Sequence, residues 1–292
     1  MLLVPNSPLR PRQPDEHFAE EAAAARELGI PVALVDHDSI PTDAVNAVSR
    51  VPQGDSVATY RGWMLRAEHY AAMESALAQR GIRLRTPAWH YRQAHELPGW
   101  IDQAAEITAR TMWTQGFERT VFEDALTRLD AHEAVLRDYC KSLKHNWDDA
   151  MHIPDTTNAD AAWATAQRFI QLRGEDAVGG FVLREFEHFI GAEVRTWWVN
   201  GQCVLVGPHP DNTDPEICEP DLTEIALIIG ALQHPFVTAD LRQDIRGRWR
   251  LIEIGDGQVS DRPRSIPADK FLAVTFLDLG YARRPPNESF GV

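Results

Sequence analysis

Cysteine is scarce in this chain, with Cys140, Cys203 and Cys218 its three examples among 292 residues. An odd number with no Cys-x-x-Cys spacing argues against both a disulfide framework and a zinc ribbon, and fits a reducing cytoplasm. No stretch approaches the roughly 18 consecutive apolar residues of a membrane span. The opening MLLVPNSPL has no basic region ahead of a long apolar run, so no export signal is expected either. Basic residues are outnumbered, 29 Lys and Arg against 43 Asp and Glu, for a net charge of -14. Such a surface opposes the phosphate neutralisation that drives nucleic-acid binding. A small phosphorylated ligand stays compatible, because a few cations converging in a pocket outweigh a distant acidic surface. The phosphate loop Gly-x-x-x-x-Gly-Lys-Ser/Thr, the Gly-x-Ser-x-Gly elbow and the His-Glu-x-x-His helix are all missing. Histidines occur, but His132, His145, His152, His188, His209 and His234 are scattered without ligand spacing, and none is given a catalytic role.

What is present is an ordinary folding composition, 44% hydrophobic and 25% charged, with no repeat or low-complexity tract. The length calls for two lobes, or one lobe with a mobile insertion. The first segment reads strand, helix, strand: LLVP, an Ala/Glu-rich helix over 15–28, a stop at Gly29 and an apolar run over 31–35. A second unit follows, with SVATYRGW as a strand, a helix over 68–80 carrying Tyr70, Met73 and Leu77 on one face, Gly81 as its cap, and IRLRTP as another strand. Together they predict a small parallel sheet with helices on its faces.

From Glu96 the pattern changes to an expected aromatic-rich helix bearing Trp100, Ile107 and Trp113, and then to longer strands. Strands are expected over 134–142, 180–189, 193–206, 236–242 and 248–254, with helices over 159–172, 222–233 and 267–279. Within WWVNGQCVLV, Asn200-Gly201 supplies the two positive-φ residues of a type I′ hairpin turn. The stretch PHPDNTDPEICEPD reads as a connector, or as a surface loop beside the active face. This half is mixed α and antiparallel β.

Four clusters carry candidate chemistry. In VLRDYCKSLKH, residues at even separation share a strand face, so Arg137, Tyr139 and Lys141 are expected to point together, with Lys144 at the exit. Cations so directed suit nucleotide phosphates, although a solvated edge strand has the same pattern. In GGFVLREFEHFIGAEVRTWWV, an apolar strand ends in Arg184-Glu185-Phe186-Glu187, and Glu193 and Arg195 share a face on the next strand. Backbone groups after such a strand can pair with an adenine edge and a carboxylate can accept ribose hydroxyls, while ordinary cross-strand ion pairs give the same spacing. In FVTADLRQDIRGRWRLIEIGDGQVSD, Asp240 and Glu253 lie on two strands and Asp256 in Gly255-Asp256-Gly257. Carboxylates among apolar neighbours are costly to bury without a cation, and Mg2+ against phosphates meets that need; a charged hairpin without metal is the competitor. The fourth is WTQGFERT with the upstream YRGWM, where Arg61 and Arg66 are candidates for a substrate carboxylate or plain surface residues.

The succession of these clusters resembles the ATP-grasp superfamily, closest to a compact clade with a K/R-D-Y-x-K-S-x-K-H strand and a W-x-x-x-E-x-G-D-G-Q-V-S metal strand. The resemblance covers about residues 96–292, and the segment before it is similar in type to the small Rossmann-like domain that precedes the grasp. It implies an α+β/α/β chain, residues 1–95 forming that Rossmann-like βαβ domain and 96–292 an ATP-grasp fold of two α+β subdomains, the lid at about 130–190. It implies ATP and Mg2+ as cofactors, phosphorylation of a carboxylate to an acylphosphate, and attack by an amine, so that a carbon–nitrogen bond forms. Carried over by motif, Arg137 and Arg184 take the phosphate-strand places, and Glu185, Phe186, Glu187 and His188 form the adenine hinge. Glu193 takes the ribose place, Arg195 a phosphate or acylphosphate place, and Asp240, Glu253 and Asp256 the metal places. Arg195, Arg184 and Lys141 are then the catalytic cations, and Lys141, Lys144 and His145 stand where a glycine-rich flap is usual. The family's Glu-x-Asn metal pattern is replaced by Glu253-Ile254-Gly255-Asp256.

Two other readings share the pocket: a phosphotransferase releasing a phosphorylated small molecule, and a nucleotide-binding protein without catalysis. Expected partners are small-molecule or peptide carboxylates and amines, with no nucleic acid and no membrane, and a homodimer as the default assembly. Neither the N-terminal lobe nor the loop over 212–219 has a motif that identifies the substrates.

Overall fold

Short apolar runs alternating with Ala-rich helices in the first ninety residues fold into four parallel strands, β1 (Leu2–Pro5), β2 (Val32–Val35), β3 (Ser56–Tyr60) and β4 (Ile82–Leu84), in the order β2-β1-β3-β4. The structure, a computed structural model, describes residues 1–212 and 216–276. Parallel neighbours need crossovers, supplied here by α1 (Ala19–Glu27), α2 (Ile40–Ala47) and α3 (Ala67–Ala78). Helix α3 buries Tyr70, Met73 and Leu77, the face marked by their three-and-four spacing. Helix α2 escapes the sequence pattern because only Ile40 and Ala47 of its residues are buried. Helix α4 (Ala88–His95) follows β4, and its Tyr91 ring stacks on Tyr70 at 3.9 Å.

The aromatic-rich helix expected from Glu96 is not formed. Leu97–Gly99 is a short 3-10 turn, further turns follow, and Trp113 ends the strand β5 (Thr111–Trp113). Pro98 and Gly99 are poor continuers of a helix, and Trp100 is buried as an anchor of a turn rather than one position of a stripe.

Three more strands complete the middle sheet: after α5 (Arg119–Leu129) come β6 (Ala134–Asp138), β7 (His152–Ile153), α6 (Ala159–Arg173) and β8 (Phe181–Glu185), in the antiparallel order β5-β8-β6-β7. Its core joins Phe122, Leu126 and Leu129 of α5 to Phe169, Phe181 and Leu183. Strand β6 stops at Asp138, short of the expected 142, because the Asp138 carboxylate accepts hydrogen bonds from the backbone N–H groups of Cys140 and Lys141 and turns the chain. The third sheet holds β9 (Phe189–Val199), β10 (Gln202–Pro208), β11 (Phe236–Asp244) and β12 (Trp249–Asp256), antiparallel in the order β10-β9-β11-β12. Asn200 and Gly201 make the β9–β10 turn with φ of +48° and +79°, as the Asn-Gly pair predicts. Helices α7 (Thr223–Leu232) and α8 (Ala268–Thr275) belong to this part, and the last residues of the helix expected over 267–279 lie outside the described residues.

The first and third sheets share one core, in which Leu2, Val4, Phe18 and Ala25 meet Trp197, Phe236 and Phe271. Arg61 is the polar staple of that junction. It is 1% exposed, donates to both Glu21 carboxylate oxygens at 2.8 Å, and donates to the carbonyls of Gly257, Gln258 and Ser260. The substrate-carboxylate role considered for Arg61 is therefore corrected: its donors are consumed inside the protein. Among the described residues no helix is long and apolar enough to cross a membrane.

Candidate active site between the second and third sheets

Register alone assembles the acidic and basic residues of the third sheet. Asp240 of β11 lies directly opposite Glu253 of β12 and opposite Arg195 of β9, so the three form one row across three strands. Thr238 and Gly255 form the next paired position on the same face. Arg195 grips Asp240 through two 2.8 Å bonds, Nε to Oδ1 and Nη2 to Oδ2. Burial works against the Arg195 charge, but Asp240 outweighs it and holds the guanidinium firmly protonated.

The middle sheet supplies the facing wall. Val135 pairs with Arg184 and Arg137 with Val182, so alternation puts both arginines on one face. Arg137 donates to Glu253 Oε1 at 2.9 Å, and Arg184 donates to the Ile252 carbonyl at 2.6 Å and to Thr108 Oγ1 at 2.6 Å. Burial would raise the Glu253 pKa, yet Arg137, followed by Lys144 and Arg195, pulls it down to about 2. Burial and the neighbouring Arg137 lower Arg184 to about 10, and its Nε is buried with no hydrogen-bond partner. The loop after β6 carries Lys141 and Lys144 over the row, with Lys144 Nζ 3.3 Å from Asp211.

Two contiguous cavities lie between these walls. One, of about 370 Å3, is lined by Arg137, Lys141, Lys144, Arg195, Asp240 and Glu253. The other, of about 550 Å3, shares Arg137, Lys144 and Glu253 and extends along Glu185, Phe186, Glu187 and His188 to Glu193. Within that segment the Glu185 and Phe186 amides already donate to the Arg110 and Glu133 carbonyls, and Glu187 pairs with Arg250 at 2.9 Å. Burial and the nearby Asp240 raise the Glu193 carboxyl to about 7.

The structure thus gathers Arg137, Lys141, Lys144, Arg184, Glu185 to His188, Glu193, Arg195, Asp240 and Glu253 around one continuous space. It does not bring Asp256 there. Strand alternation turns Asp256 to the face opposite Glu253, where Oδ1 accepts from the Gln258 backbone at 2.8 Å, Oδ2 has no partner, and burial raises the carboxyl to about 7. Tyr139 also departs from Arg137: the chain has turned at Asp138, and the Tyr139 hydroxyl donates to the Thr114 carbonyl at 2.6 Å. Arg66 pairs with Asp176 away from both cavities.

His209 was missed by sequence reasoning. It follows β10, accepts a 2.8 Å bond from Arg195 Nη2 at its Nε2, and stands 3.6 Å from Asp240. Together Glu193, His209 and Asp240 bring their ligand atoms within 4.8 Å of one another, although Arg195 already sits among them. The only signal was position: β10 pairs with β9, and that pairing sets Pro208 opposite Val194 and carries His209 to Glu193 and Arg195.

Two α+β units closing on a cleft, one bearing a cationic wall and the other a row of carboxylates, define the ATP-grasp class of fold. Residues 128–274 match the ATP-grasp domain of the R-2-K clade, family 3, and the chain belongs to that family. Solved structures with a similar fold include the D-cycloserine synthetase DcsG, 16% identical with a TM-score of 0.59 over 95% of this chain and 99% of that one. A RimK-domain ATP-grasp protein from Sphaerobacter thermophilus DSM 20745 is 12% identical, with a TM-score of 0.61 over 97% and 99%. The ATP-grasp ligase PsnB, solved with a minimal precursor, Mg and ADP, is 10% identical, with a TM-score of 0.56 over 97% and 98%. No curated protein matches the sequence.

Proposed function

We propose that the chain is an ATP- and Mg2+-dependent ligase that joins a carboxylate to an amine through an acylphosphate. The observation that carries this reading is the cross-strand pair Asp240 and Glu253 facing Arg137, Lys141 and Lys144 across one cleft. The orphaned, buried Nε of Arg184 at the same cleft is a donor still lacking its acceptor, as a phosphate-binding wall requires. Asp240 and Glu253 would hold the metal, which supplies charge neutralisation to the transferring phosphoryl group.

The protein's own residues divide the work by charge and polarity. Arg137, Arg184, Lys141 and Lys144 bind phosphate oxygens, and Arg195, anchored by Asp240, meets the negative charge that spreads as the phosphoryl group moves. The segment Glu185 to His188 borders the base, with Phe186 as its apolar surface, and Glu193 accepts the ribose hydroxyls. Asp256 is left out of the metal set. To the same reading belong a Rossmann-like unit over 1–95, a grasp over 96–292 and a lid at about 130–190, of which residues 213–215 and 277–292 lie outside the described residues.

Replacing Glu253 by Gln tests the reading, since it keeps the shape and one acceptor for Arg137 while removing the charge. ATP turnover is expected to fall by roughly 100-fold or more at a temperature where the variant is still folded, its thermal midpoint lowered by loss of the buried ion pair with Arg137. An unchanged turnover would count directly against the assignment.

A further inference from the structure

A third cavity, of about 580 Å3, opens beside the one lined by Arg195, Asp240 and Glu253 and shares Met64, His95 and Cys140 with it. Its size falls in the roughly 300–1,000 Å3 range of small-ligand sites. Its walls come from the start of α3, from α4, and from residues 177–179 ahead of β8. Gly179 is held at φ +72°, and a Cβ there would lie 2.1 Å from the Tyr139 ring, so this wall is closely fitted to the loop leaving β6.

The chemistry of this space differs from that of its neighbour. The neighbouring cavity sets four cations, Arg137, Lys141, Lys144 and Arg195, among four carboxylates, Asp211, Asp240, Glu253 and Asp261. In the third cavity each cation is already matched. Arg66 is engaged by Asp176 and the Glu175 carbonyl, and Arg92 by both oxygens of Glu96 at 3.0 Å. The Glu96 side chain is only 12% exposed while that of Arg92 is 65% exposed, so it is the carboxylate that lies toward the interior. At the junction of the two cavities the His95 Nε2 is buried without a hydrogen-bond partner. Ala71, Ala88 and Val178 add an apolar surface, and the Trp89 ring is 61% exposed beside them.

Resting on the ligase reading above, we propose that this cavity receives the amine substrate, an amino acid or peptide N-terminus with an apolar side chain. An ammonium group meets the inward-lying Glu96 carboxylate, which it shares with the more exposed Arg92, while the side chain lies on Trp89, Ala71 and Val178. His95 Nε2 accepts a hydrogen bond from the amine and aims it through the shared opening at the acyl carbon. The nitrogen then bonds to that carbon, and the carbon–oxygen bond to phosphate breaks with its electron pair leaving on phosphate. Of the two protons the ammonium loses, one remains on the released phosphate and one goes to water.

Calorimetric titration of the full chain tests this, using leucinamide, phenylalaninamide and their N-acetyl derivatives, with and without Mg2+ and AMPPNP. The free amides are expected to bind at least tenfold more tightly than the acetylated ones. Ala71→Trp, which fills the space, is expected to abolish amide binding, and the isosteric Glu96→Gln to weaken it at least tenfold, while both keep AMPPNP binding within twofold. Equal binding of the acetylated probes, amide binding that survives both substitutions, or no amide binding by wild-type protein would overturn the proposal. Failure of wild-type protein to bind AMPPNP would fall on the ligase reading instead, and the titrations without nucleotide would still decide the cavity.

Discussion

Two buried carboxylates, three residues apart on β12, are pushed in opposite directions by what each one faces. Glu253 meets Arg137 and is held at about 2, so its contribution to stability is present above its ordinary value of 4.5 and is lost as pH falls toward 2. Asp256 is met by Gln258, whose backbone and side-chain N–H groups donate to Oδ1, but burial outweighs those bonds and lifts it from 3.8 to about 7. Its folded pKa lies above its unfolded one, so folding takes up a proton, and stability declines as pH rises from about 4 to about 7. Asp256→Asn mimics the neutral acid. It is expected to match wild type below about pH 4 and to exceed it increasingly up to pH 7, by at most about 4 kcal/mol at about 1.4 kcal/mol per pH unit. Denaturant melts across that range measure the difference, and because Asp256 lies off the cleft, ATP turnover is expected to persist. The identity of Asp256 suggested a metal ligand, but strand alternation decides which face an acid serves, and a bulge between Asp240 and Leu241 shows how easily that phase shifts.

At the scale of elements, the loop after β6 governs where the cations stand. Asp138 is fully buried, accepts from the Cys140 and Lys141 amides, and pairs with Arg173 Nε at 2.9 Å. Asp138→Asn keeps the shape but leaves Arg173 without its anion. It is expected to destabilise the fold by about 1–3 kcal/mol and to raise the KM for ATP more than it lowers kcat, as Lys141 and Lys144 lose their fixed approach. Steady-state kinetics with a parallel thermal melt separate the two effects, and an unchanged KM would sink this role. The sequence exposed elements whose signals are local: the Asn200-Gly201 hairpin, the α3 stripe and the apolar strand β8 ending in Arg184-Glu185. It did not yield helix α5 or the end of β6. Helix α5 buries Phe122, Ala125, Leu126 and Leu129 at helical spacing and was legible in principle, whereas the end of β6 depends on a carboxylate bonding forward to its own turn.

For the molecule as a whole, fold class followed from the order of the clusters, but the way the parts close did not. Arg61 read as an isolated surface cation because its partners, Glu21 and the carbonyls of 257–260, are 40 and about 196 to 199 residues away in sequence. His209 was invisible because the β9–β10 pairing, not its spacing in the sequence, brings it to Arg195 and Glu193. The arginines read as phosphate ligands also span the gap between the second and third sheets, where Arg137 reaches Glu253 and Arg184 reaches Ile252. On the proposed reading, nucleotide entry would exchange inter-sheet bonds for bonds to phosphate, and the cleft is expected to adjust as it fills. A crystal structure of the full chain with AMPPNP and Mn2+, read by the manganese anomalous signal, tests the central claim most directly. The account predicts metal within roughly 2.0–2.3 Å of carboxylate oxygens of Asp240 and Glu253, with the phosphates against Arg137, Arg184 and the lysines. Metal and nucleotide bound elsewhere, with Asp240 held by Arg195 alone and Glu253 by Arg137 alone, would contradict it.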